Sequence, residues 1–421
     1  MTSLPPHCQR IALIIPALVL LVFSWSLVLN HSSHYGLTGS DFVQDYSAAI
    51  AARQGQPIYG DGIGQIAAAQ GMGWGAREFE NFHPPFLALL AMPFTFLSVD
   101  QAFVAWNMVM SGIYFVVVAI LVRKALLVLF SGLAVLVVLP FWAPVFSTFC
   151  LGQGNAVLLL LLTMTWVFWR SDLLSRQKLA GVPLALATLI KLFPGFLLLL
   201  FLMQRRWSTL RLFSLTFILG LAVCAAIVGP EQVFFYFSAV LPRDAKVWGP
   251  FPINHSIHGV FLRMFSKNSY GAPLADLPFV AQSLIYSCSA VIVLASCLFI
   301  YRRQSGVLSV FQRDMLFWAQ LVPLFLMSPI TWQHSLVLML PLFLLAIKSS
   351  PVSRYLRSSA LVALLLFSFI DVEIARWLVQ SFPRGTPWYL VLAVGNLPFW
   401  GLLILGWAVW CTPVTKPSLR G

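Results

Sequence analysis

LAGVPLALATLIKLFPGFLLLLFLM, residues 179–203, is an apolar run of 25 residues with one charged side chain, Lys191. About 20 apolar residues carry a helix across the hydrocarbon core of a bilayer, so the stretch is long enough to span one. Its centre argues against a plain rod. Pro194 cannot donate to the helical hydrogen-bond ladder, and a helix broken at membrane depth usually lines a cavity. The stretch predicts a discontinuous membrane helix with a cation at the break.

Further apolar runs lie at about 11–29, 86–97, 101–122, 125–140, 153–169, 209–228, 279–301, 314–332, 335–347, 359–379 and 388–411. Of 421 residues, 60% are hydrophobic and 9% charged, with a mean hydropathy of +0.87. A soluble domain carries about 25% charged residues, so water is not the main solvent of this chain. The 35 Phe and 15 Trp suit lipid contact and interfacial belts. The predicted fold class is an all-α integral membrane protein, a polytopic helical bundle of about 11–13 membrane helices.

The net charge of +13 comes largely from clusters beside apolar runs: Arg205, Arg206 and Arg211; Arg302, Arg303 and Arg313; Arg354 and Arg357; Lys416 and Arg420. Such clusters mark cytoplasmic loops, and that reading displaces a nucleic-acid one. Met1–Arg10 and the run after it read as a retained first helix, because no small-residue cleavage site follows. Both termini are then cytoplasmic. In the first half, Arg123–Lys124 and the Arg170, Arg176, Lys178 segment cannot all be cytoplasmic if every run crosses once. Half-spanning helices at the short run 86–97 and the broken run 179–203 would reconcile them. The expected outer segments are the loops 30–84 and 229–278 and the turns 328–334 and 380–387. The chain reads as one membrane domain, 1–421, in the plasma (inner) membrane, without internal repeats. Six scattered cysteines give no disulfide or metal pattern.

Six blocks carry polar residues suited to chemistry. In Asp41–Tyr59, an Ala-rich stretch favours helix until Gly55 and Pro57 stop it, which puts Asp41 and Asp45 on one face at i, i+4. A first-turn acid also simply stabilises the helix dipole; the functional reading is a general base. No further ligands accompany the pair, so it is not read as a metal site. In Asn81-Phe82-His83-Pro84-Pro85, His83 is either a phosphate ligand or an interfacial residue, while Glu78 and Glu80 read as solvated. Gly152-Gln153-Gly154-Asn155 opens a helix whose exposed amides suit an anion, or packs closely against a neighbour. Lys191 in Lys191-Leu192-Phe193-Pro194 is a candidate counter-charge for a lipid phosphate, or snorkels to an interface. Asn254, His255, His258 and Arg263 gather in the second outer loop without an acid, which suits anion or hydroxyl binding better than metal binding. His334, at a helix mouth after Trp332, is placed to donate to phosphate or to position an acceptor.

These blocks, in this order over roughly residues 38–345, resemble glycosyltransferase family 87, the polyprenol-phosphate-mannose-type transferases of the GT-C superfold. Asp41…Tyr59 looks like that family's first outer loop, His83-Pro84-Pro85 like its Tyr/His-Pro-Pro, and Gly152–Asn155 like its Gly-Gln-x-Asn. Lys191–Pro194 looks like Lys-Leu-Tyr-Pro, and Asn254–Ser256 with Arg263, and Ser328…His334, look like its later blocks. The resemblance implies inverting transfer of a hexose, mannose by the family's name, from a polyprenyl-phosphate donor to a lipid or glycan acceptor at the outer face. It implies no cofactor and no obligatory metal, and it places the base at Asp41. Asp45 departs from the family, where an aromatic or aliphatic residue is more usual. Lys191, Arg263 and His334 would then face the leaving phosphate, with His83, Gln153, Asn155, Asn254, His255 and His258 as further substrate-binding residues.

Two other classes fit less well. A transporter or flippase should show repeat symmetry and midplane ionisable residues, whereas the candidates here cluster at one boundary. An O-antigen ligase or polymerase would draw on arginines in a large outer loop, and the first such loop has only Arg53 and Arg77.

Overall fold

The computed structural model describes residues 18–31, 41–71, 80–124, 129–304, 308–348, 354–368, 389, 393 and 395–412. Among them every element is helical and none is a strand, as the apolar composition requires of a chain that must satisfy its backbone within each segment. Three helices are long and apolar enough to cross a membrane: Val99–Arg123, Trp207–Val228 and Pro278–Gln304. A fourth crossing results if Gly132–Phe141 and Ala143–Leu151, bent by 59°, form one span. The shorter apolar helices include Leu18–His31, Pro85–Phe96, Asn155–Trp169, Gln333–Lys348 and Leu397–Trp410. The expected crossings beyond the full-length spans fall on these pieces or outside the described residues, as do residues 1–17 and most of 369–394.

The run that opened the sequence reading is broken where its residues demand. Helix Gly181–Ile190 stops at Lys191, whose backbone is extended (φ −146, ψ 136). A 3-10 turn, Phe193–Leu197, follows with Pro194 in its first positions, and the helix resumes at Leu198–Met203. The first half packs on Trp207–Val228 and on Asn155–Trp169. Gly181 makes the former contact close, since a Cβ there would lie 2.4 Å from the Thr209 carbonyl oxygen. Small residues at such crossings let helix backbones approach in lipid. The opposite face of Trp207–Val228 leaves Leu215, Ile218, Leu219 and Ile227 exposed, the pattern of a lipid-facing side.

The described residues of both long loops include helices. The first carries Asp41–Arg53 and Gly62–Ala69, and the second carries Pro230–Phe235, Leu241–Trp248 and Ile257–Phe265. They interlock: Arg243 pairs with Glu80 at 2.8 Å, Ile58 N–H donates to Gln232 Oε1 at 3.1 Å, and Tyr59 stacks on Tyr236 at 6.0 Å. Glu80 is thus an inter-loop ion-pair partner and not the solvated acid expected; Glu78 lies outside the described residues. Pro85–Phe96 spans only a dozen residues, too few to cross, and packs beneath Asp41–Arg53. At the other end of Asn155–Trp169, Asp314 accepts from Trp166 at 2.9 Å and pairs with Arg170 at 3.3 Å.

Candidate active site

Asp41 stands in the first turn of Asp41–Arg53, and the floor of that helix is set by a glycine. Gly152 ends Ala143–Leu151 in the left-handed conformation (φ +63), and a Cβ there would meet Phe42 Cβ at 2.5 Å. Only glycine accepts both the torsion and the contact. The next residue, Gln153, donates from Nε2 to Asp41 Oδ2. Its Oε1 accepts from Lys191 Nζ at 2.8 Å, and Lys191 also donates to Asn155 Oδ1 at 3.3 Å. Asn155 in turn donates to the His334 carbonyl at 3.0 Å. The third, fourth and sixth sequence blocks therefore meet beside the first.

A second line of contacts runs from the same helix to the second block. Gln44 donates to Asp41 Oδ1 at 3.3 Å while its Oε1 accepts from Phe82 N–H at 3.1 Å. Asp45, 1% exposed, lies 2.7 Å from His83 Nδ1. Burial raises the Asp45 carboxyl above its ordinary range against the pull of His83. Burial opposes charge on His83 too, but the Asp45 carboxylate and its hydrogen bond more than offset this and raise the imidazole. The His83 backbone is fixed by Asn81 Oδ1 (2.9 Å) and the Tyr59 hydroxyl (2.8 Å).

The fifth block forms a separate knot. Asn254 donates to the Gly249 and Pro329 carbonyls, both at 2.9 Å, and its Oδ1 accepts from Ser256 and Thr331. Its polar atoms are all in use and it is fully buried. Arg263 donates to the carbonyls of Phe251 (2.5 Å) and Asn254 (3.2 Å) and to Asn396 Oδ1 (2.8 Å). Burial lowers it to about 9. Burial, with Arg263 close by, also holds His255 neutral, at about 3. His258 is half-buried on the adjoining helix and joins no hydrogen bond of the Asp41 network. His334 links the two groups: its side chain is 4% exposed, its Nε2 has no partner among the described residues, and Lys191, His83 and His255 all act on it electrostatically.

Beside His83 and Lys191 opens an apolar crevice lined by Pro84, Phe86, Leu189, Leu192, Phe217 and Tyr236. Several participants had no role in the sequence reading: Gln44, Tyr59, Asn81, Asn396 and Thr148, whose hydroxyl donates to the His334 carbonyl at 3.3 Å. Gln44 alone had a local signal, one helical turn from Asp41. Asp244, on Leu241–Trp248, also faces this group, acting on Lys191 with Asp41 and Asp45.

The sequence model of glycosyltransferase family 87 matches residues 81–329, more than half of the chain and the second to fifth of the blocks that build this site; the first block and His334 lie outside the match. The chain belongs to glycosyltransferase family 87. It is also 29% identical over 345 residues to the polyprenol-phosphate-mannose-dependent alpha-(1-2)-phosphatidylinositol pentamannoside mannosyltransferase of Mycolicibacterium smegmatis (strain ATCC 700084 / mc(2)155), covering 77% of this chain and 75% of that one. No solved structure matches. This family 87 chain is a multi-pass membrane glycosyltransferase.

Proposed function

We propose that the enzyme moves a hexose, mannose in the first instance, from a polyprenyl-phosphate donor to a hydroxyl of a lipid or glycan acceptor at the outer face of the plasma membrane. The observation that carries this is the Asp41–Gln153–Lys191 chain: a carboxylate and a cation share one site, joined by an amide. Asp41 takes the proton of the acceptor hydroxyl. The freed oxygen forms its bond to the anomeric carbon as the bond from that carbon to phosphate breaks, inverting the centre, and polyprenyl phosphate leaves with the electron pair. Lys191 and the unpartnered Nε2 of His334 receive the phosphate charge, so the chemistry needs no metal or cofactor.

Asp45 holds His83 and is a positioning residue in this scheme. Arg263, with three of its five N–H donors on protein oxygens, shapes the second loop. The crevice from Pro84 to Tyr236 is apolar, and the relative's name supports a lipid-linked donor.

The test is transfer from polyprenyl-phosphate mannose by purified protein in lipid nanodiscs. Asp41→Asn should reduce turnover about 10²–10⁴-fold, the usual contribution of a positioned base. Wild-type turnover in Asp41→Asn would remove the base assignment. Failure of the wild type to use any polyprenyl donor would remove the donor class.

A further inference from the structure

Asp244 is the remaining acid of the site. It lies on Leu241–Trp248 in the second loop, and that helix is pinned over the first loop on both sides of it. The neighbouring Arg243 pairs with Glu80 at 2.8 Å, and Trp248 meets Phe82 edge-on at 6.4 Å and Trp332 at 6.0 Å. The three acids differ in their partners. Asp41 accepts from two glutamines and Asp45 from His83. Half-buried Asp244 has neither a hydrogen bond nor an ion pair to its carboxylate among the described residues. A half-buried acid without a donor is costly unless something supplies one.

We infer that the Asp244 carboxylate receives a pair of hydroxyls of a sugar ring in the active site, an assignment that rests on the function proposed above. An ionised carboxylate offers two oxygens and no donor, which suits two neighbouring hydroxyls. It would repel a phosphate, so the donor's anionic end belongs beside Lys191 and not here. Trp248, one turn further along the helix on the same face, is held among Phe82, Phe251 and Trp332 and fixes the helix that carries Asp244. Burial lifts the carboxyl to about 7, with His83 and Lys191 pulling it down and Asp41 adding to the rise. The empty site thus disfavours the bare charge, and donors from a ligand would relieve that.

Sugar rings enter this reaction from two sources, donor and acceptor, and the assay separates them. Transfer from polyprenyl-phosphate mannose is measured in nanodiscs to octyl mannoside and to octanol, with wild type, Asp244→Asn and Asp244→Glu. If the acceptor ring is bound, Asp244→Asn raises the KM for octyl mannoside about tenfold or more, the worth of hydrogen bonds to a charged group. The octanol KM and the donor KM then stay unchanged. If the donor ring is bound, the donor KM rises with both acceptors. Asp244→Glu recovers part of the loss in either case. The inference falls if both KM values stay within about twofold in Asp244→Asn, or if kcat alone drops. An inactive wild type would overturn the proposed function and this assignment together, whereas an active wild type with an indifferent Asp244 variant overturns this assignment alone.

Discussion

Gly152→Ala tests whether the loop helix is seated as the structure has it. The residue sits at φ +63, where an alanine costs about 1–2 kcal/mol. The added Cβ would lie 2.5 Å from Phe42 Cβ and 2.8 Å from Phe103 Cε2. Ordinary contact begins near 3.4 Å, so the overlap with Phe42 is about 0.9 Å on the contact scale of a close-packed interior. Phe103 can turn its ring aside. Phe42 cannot, because the atom struck is its own Cβ, and the whole first turn must lift. That turn carries Asp41, while the substituted residue neighbours Gln153, so the lift opens the Asp41–Gln153 hydrogen bond. Overpacking adds about 1–3 kcal/mol to the torsional cost, and a misplacement of about 1 Å at a reacting group lowers turnover about 10²-fold.

Gly154→Ala is the control two residues away. Its Cβ would meet Leu87 Cδ1 and Trp106 Cζ2 at 3.6 Å each, and its φ of −76 is open to alanine. It should keep activity within about twofold, the scale of substitutions that break no contact. Single-turnover transfer and thermal unfolding of both variants in nanodiscs decide the matter. A folded Gly152→Ala with wild-type turnover would refute the seating, as would a Gly154→Ala equally impaired.

The Asp45–His83 pair makes stability depend on pH. Both groups are raised in the folded protein, so the folded state holds protons more tightly. Each contribution is fully present below that group's ordinary value and is lost as pH rises through its raised one; the melting temperature should fall from about pH 4 upward through Asp45 and further from about pH 6.5 upward through His83, and His83→Gln should flatten the upper part of the slope. A melting temperature that climbs over that range contradicts the pairing. Asp45→Ala should cost about 3–5 kcal/mol by stranding a buried partner, and adding His83→Ala should cost less than the sum, so strict additivity in the double-mutant cycle would count against the contact. Arg263→Met removes the donor to Phe251, Asn254 and Asn396 and should lower stability by about 2–3 kcal/mol while leaving the donor KM in place. A large rise in donor KM without loss of stability would instead put Arg263 on the phosphate. Gln153→Ala should lower kcat and raise the donor KM together, since one side chain holds both Asp41 and Lys191; a change in only one separates the two functions.

The sequence displayed the pieces of the site but not their junctions. Lys191 and Pro194 were legible because a cation and a helix breaker stand out locally in an apolar run. Asp41 and His83 were legible through a helix start and a Pro-Pro corner. Gln153 reaches Asp41 across 112 positions of sequence and Lys191 across 38, and no local period encodes such distances. Asp244 was passed over for the same reason: in the chain it is an acid between a cation and an alanine, and only the folding of the second loop over the first gives it a neighbourhood. Helix Ala143–Leu151 was missed for an opposite reason. Pro140, Pro144 and Gly152 look like loop punctuation, yet a proline in the first turn and a glycine just past the end are the positions where a helix tolerates them.

The arrangement of charges explains why an amide stands at the centre. A direct Asp41–Lys191 ion pair would spend both groups on each other, and a phosphate arriving at the site would have to break it. With Gln153 between them, Asp41 accepts from a neutral amide and Lys191 donates to the neutral oxygens of Gln153 and Asn155. Neither charge is cancelled. Hydrogen bonds from Lys191 to neutral amide oxygens are cheaper to exchange for one to an anion than a buried ion pair is, so Lys191 can turn to an anion while Gln153 continues to hold the carboxylate. Asp45 follows the other rule. It faces His83 directly and is 1% exposed, which suits a residue that fixes a position and gives nothing to the substrate. The two aspartates at i, i+4, alike in sequence, are set to different tasks by what faces them.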